Sequence, residues 1–182
     1  MSRSIIVAPF DGVAKLARVT VVLTFGLIVL GAVVRSTGSG LACPDWPLCH
    51  GHLVPPFQPQ VLLEWGHRVV ALAVSLLTAG LAAWILLVAP LRRVLGRRIG
   101  LALGLLALQV VLGALTVWQL LHFSVVTLHL GNALLFLAAL VAVAERAGRA
   151  AAGEEAGDEG AGGAVARGPW IAAAVATLAQ IL

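Results

Sequence analysis

Four apolar runs, each about as long as a bilayer is thick, limit this chain more than any other feature. They cover Leu16 to Val34, Val61 to Ala89 (strictly apolar from Val69), Ile99 to Leu121 and Phe123 to Ala144. A helix needs roughly 20 apolar residues to cross about 30 Å of hydrocarbon. Inside hydrocarbon every backbone N–H and C=O must be paired within the segment, and an α-helix achieves this alone. The expected fold is therefore an all-α integral membrane protein, a four-helix transmembrane bundle. Composition agrees: 60% of the residues are hydrophobic and 11% are charged. A soluble domain carries more than twice that charge.

A fifth apolar run starts at Trp170 and reaches Leu182. Its 13 residues would span about 20 Å as a helix, short of the hydrocarbon thickness. Either the helix continues in a longer protein, which is the expectation adopted, or it lies at the interface.

Arginine sets the expected orientation. Arg3, Lys15 and Arg18 stand near the start of the first run, and Arg92, Arg93, Arg97 and Arg98 separate the second and third. Arg146, Arg149 and Arg167 follow the fourth. These are ten of the twelve basic residues, so the positive-inside rule places all three segments in the cytoplasm. Loop 35–60 is then extracytoplasmic. Trp65 and Trp118 near outer ends, with Trp84 and Trp170 near inner ends, suit aromatic belts. The net charge of +4 reports topology and not a nucleic-acid partner. The expected layout is a cytoplasmic N-terminus (1–15), a four-span bundle (16–144), a Gly/Ala-rich cytoplasmic linker (145–169) and the start of a fifth span (170–182). The first run is too long for a secretory signal and lacks a convincing cleavage site, so it reads as an uncleaved span.

The special residues crowd into "GSGLACPDWPLCHGHLVPP" (38–56). An oxidising outer side favours a Cys43–Cys49 disulfide that stiffens a small cap. A zinc or copper site from Cys43, Cys49, His50 and His52, or two free thiols, stays open on the residues alone. A c-type heme site does not, because C-x-x-C-H is absent.

"EWGHR" (64–68) follows at the edge of the second run. Glu64 and His67 are three apart and share a helix face. Arg68 can be explained by snorkelling, but a carboxylate beside an imidazole near hydrocarbon usually serves a function. The fourth run carries His129 in "VTLHLGN", which alone reads about as well as a helix-packing hydrogen bond. Together, His67 and His129 enter from the same side on neighbouring spans. Judged from the ends of the apolar runs, their depths differ by one to two helical turns. Two imidazoles on facing helices are how bundles hold heme iron. A faint repeat accompanies them: "LIVLGAVV" (27–34) and "QVVLGALT" (109–116) each precede a histidine-bearing span, and Gly31 and Gly113 permit close helix approach.

"RSTGSGLACPDWPLCHGHLVPP", then "EWGHR", then "LGALTV" and "VVTLHLGNA" resemble heme A synthase over residues 16–144. That family converts heme O to heme A for terminal oxidases, by oxidising the C8 methyl to a formyl. The resemblance implies His67 and His129 as heme-iron ligands, Glu64 as an essential carboxylate, and a Cys43–Cys49 disulfide. Arg35 and Arg68 lie near the outer ends and are candidate propionate partners. The family has two similar four-helix halves, with an accessory heme b in the second, so this chain is expected to lack that cofactor site. Implied partners are heme O, the lipid bilayer of the cell membrane, heme O synthase or terminal oxidase subunits, and further copies of the chain. Two other readings stand beside it: a bis-histidine b-type membrane cytochrome for electron transfer, which would not need Glu64, and a metal-binding oxidase assembly protein, which would not need His129.

Overall fold

The computed structural model describes residues 2–153, with side chains from residue 8. The expected linker from 154 and fifth span lie outside the described residues. Four helices follow in order: α1 (Ser2–Ser36), α2 (Pro59–Leu87), α3 (Ala89–Trp118) and α4 (Phe123–Ala151). All four are long and apolar enough to cross a membrane. The helical fold expected from the apolar runs is therefore observed.

The helices outrun the apolar segments that announce them. α3 begins at Ala89, ten residues before Ile99, so Arg92, Arg93, Arg97 and Arg98 stand on its first turns and not in a loop. Pro59 and Pro90 occupy the first turns of α2 and α3, where a missing N–H costs nothing. Val88 alone separates those two helices. At the other end, Gln119 to His122 joins α3 to α4. Leu120 and Leu121 turn there with φ of 49° and 57°, and Leu121 N–H donates to Thr116 O at 2.8 Å. Side chains in this left-handed region are costly, about a kcal/mol each. The turn directs Leu121 onto Gly40 of the long loop: a β-carbon at Gly40 would lie 3.2 Å from Leu121 Cδ1.

The bundle is a ring. α1 packs on α2 and α4, and α3 packs on α2 and α4. Across the ring, α1 and α3 approach one another, whereas α2 and α4 scarcely touch. The packed core fills the arginine end, through Val13, Leu81, Ile85, Leu91, Leu95 and Leu140, all fully buried. Toward the loop end it thins out near Val74, Leu27, Leu105 and Phe136. Buried hydroxyls in the core bond back along their own helices: Thr20 to Leu16 O, Thr24 to Thr20 O, Thr78 to Val74 O. Gly12 receives the Trp84 ring, whose Cη2 would stand 2.6 Å from an added β-carbon.

Candidate functional site

The loop end holds two clusters, and α2 contributes to both. The first is built on Glu64. This carboxylate is 5% exposed, on the second turn of α2. A buried carboxylate needs donors for both oxygens. Oε2 accepts from Cys43 N–H at 2.7 Å, and Oε1 accepts from Arg68 Nη2 at 2.6 Å. Residues 64 and 68 are four apart, so the helix itself brings them together.

Arg68 does more than neutralise Glu64. Its Nη1 donates to Asp45 O at 2.7 Å and Leu48 O at 2.6 Å, and its Nη2 donates to Cys43 O at 3.0 Å. The planar, multi-donor guanidinium thus gathers three carbonyls of one loop. That loop is cross-linked: Cys43 and Cys49 form a disulfide and are both buried. Bridging removes both thiolates, so the zinc or copper arrangement with His50 and His52 has lost its sulfur ligands. Among the described residues, no three His, Cys, Asp or Glu side chains gather around a metal-sized point.

Asp45 organises the loop tip. Its Oδ1 accepts from His50 N–H at 2.6 Å and Oδ2 from Gly51 N–H at 2.8 Å, which satisfies a turn with φ of 54° and 74° at those two residues. The Gly51 N–H holds its carboxyl below the usual 3.8; desolvation opposes it, and the His50 N–H adds to the lowering. Trp46 meets Trp118 edge-to-face with ring centroids 6.0 Å apart, and Trp65 Nε1 donates to Leu53 O at 2.8 Å. The loop is fastened to α2, to the end of α3 and to the α3–α4 turn.

The second cluster holds the histidines. His67 is eight residues into α2 and His129 six into α4, counted from Pro59 and Phe123. The difference of two residues is about 3 Å along the axis, roughly half a turn. The larger offset read from the apolar runs came from taking the runs' ends for the helices' ends. The two imidazoles belong to the diagonal pair that scarcely touches.

Each ring rests on a glycine of the preceding helix. A β-carbon at Gly31 would lie 3.1 Å from His67 Cε1, and one at Gly113 would lie 3.4 Å from His129 Cε1. Both glycines stand five residues before the ends of their helices, Ser36 and Trp118. The faint repeat is therefore a packing unit used twice, with a glycine on one helix seating an imidazole on the next. The Nδ1 atoms of both rings are buried without a hydrogen-bond partner.

Of the sequence-predicted residues, Glu64, Arg68, Cys43 and Cys49 meet in the first cluster, while His67 and His129 each rest on a glycine of the preceding helix. Glu64 makes no hydrogen bond to His67. Arg35 joins neither cluster; it is exposed at the end of α1. Sequence reasoning passed over Gln109 and Asn132. Asn132 Nδ2 donates to Leu105 O at 2.9 Å and to Gln109 Oε1 at 2.6 Å, and Gln109 Nε2 stands 3.3 Å from His129 Nε2. The signal was available, since Asn132 lies three residues after His129 and two amides within spans are uncommon.

Residues 14–182 match the model of a family described as cytochrome oxidase assembly protein (COX15-CtaA). A protein of Bacillus pumilus named heme A synthase is 34% identical over 131 residues, 69% of this chain and 42% of that one. One of Symbiobacterium thermophilum with the same name is 39% identical over 114 residues, 58% and 37% of the two chains. A protein of Halobacterium salinarum named protoheme IX farnesyltransferase is 37% identical over 92 residues, half of this chain and 21% of that one. The chain spans less than half the length of these relatives. No solved structure matches. With the family match covering nearly all of it, and the histidine and loop motifs within that match, the chain belongs to the heme A synthase family of cytochrome oxidase assembly proteins.

Proposed function

We propose that this chain forms the heme-binding half of a heme A synthase, which oxidises the C8 methyl of heme O to a formyl and so supplies heme A for terminal oxidases. One observation carries the reading. Two imidazoles, each seated on a glycine, lie on the diagonal pair of helices that scarcely touch, at positions that differ by two residues counted from the helix starts. This donor set suits heme iron, because neutral imidazole is a common iron ligand and an apolar helical frame suits the macrocycle. His67 and His129 are the proposed ligands. The bound heme supplies the methyl group that reacts and the iron that the two imidazoles hold.

The chain's own residues supply the rest. Glu64 is the proposed proton acceptor, three residues from His67 on α2. Cys43 N–H and Arg68 donate to its two oxygens and hold it in place. Arg35, exposed at the same end of the bundle, is the proposed propionate partner. Arg68, occupied by Glu64 and the loop, contributes charge to that end while holding Glu64 in place. The disulfide loop covers this end and limits access of water. We place it on the extracytoplasmic side of the cell membrane, with the N-terminus and the arginines in the cytoplasm. A heme O-supplying partner is supported by the resemblance to the Halobacterium protein named protoheme IX farnesyltransferase.

The test is the pigment formed in cells that make heme O and produce this chain, alone or with the carboxy-terminal half of the Bacillus pumilus relative. Acid-acetone extracts separated by chromatography should contain heme A. Replacing either His67 or His129 by Ala should remove or strongly alter the low-spin heme spectrum. Glu64→Gln should keep heme and lower conversion by roughly a hundredfold, within the range that acid–base groups contribute. Normal heme A formation in Glu64→Gln would make the carboxylate structural. A heme-loaded protein that never makes heme A in either setting would favour an electron-transfer cytochrome.

A further inference from the structure

We infer that Gln109 and Asn132 form an amide relay that fixes the tautomer of His129, keeping Nε2 unprotonated. The inference rests on reading His129 as a heme-iron ligand for its purpose, but not for its geometry.

The relay starts at a group that cannot change its role. Leu105 O is a backbone carbonyl and only accepts. The Asn132 side chain faces it at 2.9 Å, so it must present its NH2 there. The same Nδ2 stands 2.6 Å from the Gln109 side chain, which must therefore present its oxygen. The other end of the Gln109 amide, its NH2, is then left facing His129 Nε2 at 3.3 Å. A donor facing the ring nitrogen requires that nitrogen to accept. His129 is thereby held as the Nδ1–H tautomer. Turning any one amide over sets donor against donor, or acceptor against acceptor, somewhere along the chain. The opposite tautomer would oppose two N–H groups at 3.3 Å, and Nδ1 is without a partner in either tautomer, so the Nε2 contact decides.

A nitrogen binds iron through its lone pair, and the partner of a ligand histidine commonly decides which nitrogen carries the proton. Here the decision is made from the ligand's own side. The relay keeps Nε2 unprotonated and the ring oriented, through one long hydrogen bond that iron would replace.

The internal repeat shows that this is particular to one histidine. Superposing "LIVLGAVV" on "QVVLGALT" puts Leu27 where Gln109 stands, and superposing His67 on His129 puts Val70 where Asn132 stands. Leu27 and Val70 cannot donate or accept through their side chains. His67 has the glycine seat without the relay, so of two equivalent positions only His129 has its tautomer imposed. Gln109 and Asn132 are positioning residues, since both act through the ring.

The experiment uses the chain as given, in nanodiscs, labelled with ¹⁵N-histidine and free of heme. His129 is assigned by the loss of its signals in His129→Ala. The expected spectrum shows His129 with Nδ1 protonated and Nε2 bare. Gln109→Glu keeps shape and still accepts from Asn132, but turns an acceptor toward Nε2, and should move the proton to Nε2. Gln109→Met should give a mixture of tautomers, and His67 should be unmoved in both. A wild-type His129 carrying its proton on Nε2, or a tautomer that Gln109→Met and Gln109→Glu leave unchanged, overturns the relay. A second readout is hemin titration in a His67→Ala background, where Gln109→Glu, which favours a proton on Nε2, should weaken binding relative to Gln109→Met. If His129→Ala keeps the parent heme spectrum, the ligand reading fails, while the heme-free spectra still decide the relay.

Discussion

Replacing Arg68 by Met removes the fastening of the loop while leaving the disulfide and the packing of the aliphatic stem. Four contacts disappear: those to Asp45 O, Leu48 O, Cys43 O and Glu64 Oε1. Hydrogen bonds from a charged donor contribute about 1.5–3 kcal/mol each. Breaking one side of a buried ion pair costs about 3–5 kcal/mol, mostly through the charge left behind. The side chain of Glu64 is 6% exposed and that of Arg68 16%, so the pair counts as buried. The loop carbonyls, however, recover water once the loop lifts, and the Leu48 contact is already exposed. A net loss of about 3 kcal/mol is therefore expected for the fastened state. At about 1.36 kcal/mol per tenfold, that is roughly a 150-fold rise in the lifted population.

Hydrogen exchange followed by mass spectrometry reads this population directly. Amides of the loop between α1 and α2 should exchange about two orders of magnitude faster in Arg68→Met, while the buried turns of α3 around Leu95 and Ile99 should be unchanged. Arg68→Lys keeps the charge near Glu64 but loses the planar fork, and should fall between the two. If loop exchange in Arg68→Met equals that of the parent protein, Arg68 does not hold the loop and its contacts carry no net stability.

Three further expectations follow from close contacts and charge. Gly31→Ala should lower thermal stability by about 1 kcal/mol, because its β-carbon would lie 3.1 Å from His67 Cε1; Gly113→Ala, at 3.4 Å from His129 Cε1, should be neutral or slightly stabilising. The reverse order in a melting experiment would contradict the two seats as described. Gly12→Ala should cost about 1–3 kcal/mol, since Trp84 must move out of a 2.6 Å approach; an unchanged melting temperature would show that the ring has room. Asp45 has a depressed folded pKa, so its contribution to loop order is complete above the ordinary carboxylate value and is lost as pH falls through the folded value, below 3.8. Loop exchange, corrected for intrinsic rates, should be flat from pH 5 to 7, and Asp45→Asn should loosen the loop throughout that window; equal protection in the variant would remove the turn from the loop's design.

The four helices were legible because run length and hydrophobicity are forced by the bilayer, whatever the side-chain detail. Their ends were not, because hydropathy stops where charge begins whereas the hydrogen-bond ladder continues. Arg92 to Arg98 illustrate the difference: they leave the apolar run but not α3. That error propagated into the depths of His67 and His129, which helix starts bring within half a turn. The i, i+4 spacing of Glu64 and Arg68 was visible in "EWGHR", yet the loop carbonyls that Arg68 gathers lie 20 to 25 residues away and have no sequence signature. Gly31 and Gly113 were legible as small residues at helix contacts. That each seats a histidine required knowing which helices are neighbours.

The two clusters together give the histidines different attachments. His67 shares the first turns of α2 with Glu64 and Arg68, three residues after the one and next to the other. His129 is tied through Gln109 and Asn132 to α3, by hydrogen bonds that do not involve that loop. A change in the groups that hold Cys43 therefore acts first on α2, the helix that carries His67. Opening the disulfide, which frees the backbone at Cys43, loosens the N–H that Glu64 accepts and the carbonyl that Arg68 holds. Glu64 and Arg68, on the helix of His67, then lose these partners, while the relay on α3 and α4 keeps the hydrogen bonds it had. The arrangement makes His67 the adjustable member of the pair and His129 the fixed one. In a Cys43→Ser/Cys49→Ser variant the ring signals of His67 should broaden or shift, with His129 retaining its Nδ1–H tautomer; disturbance of His129 alone would reverse the assignment.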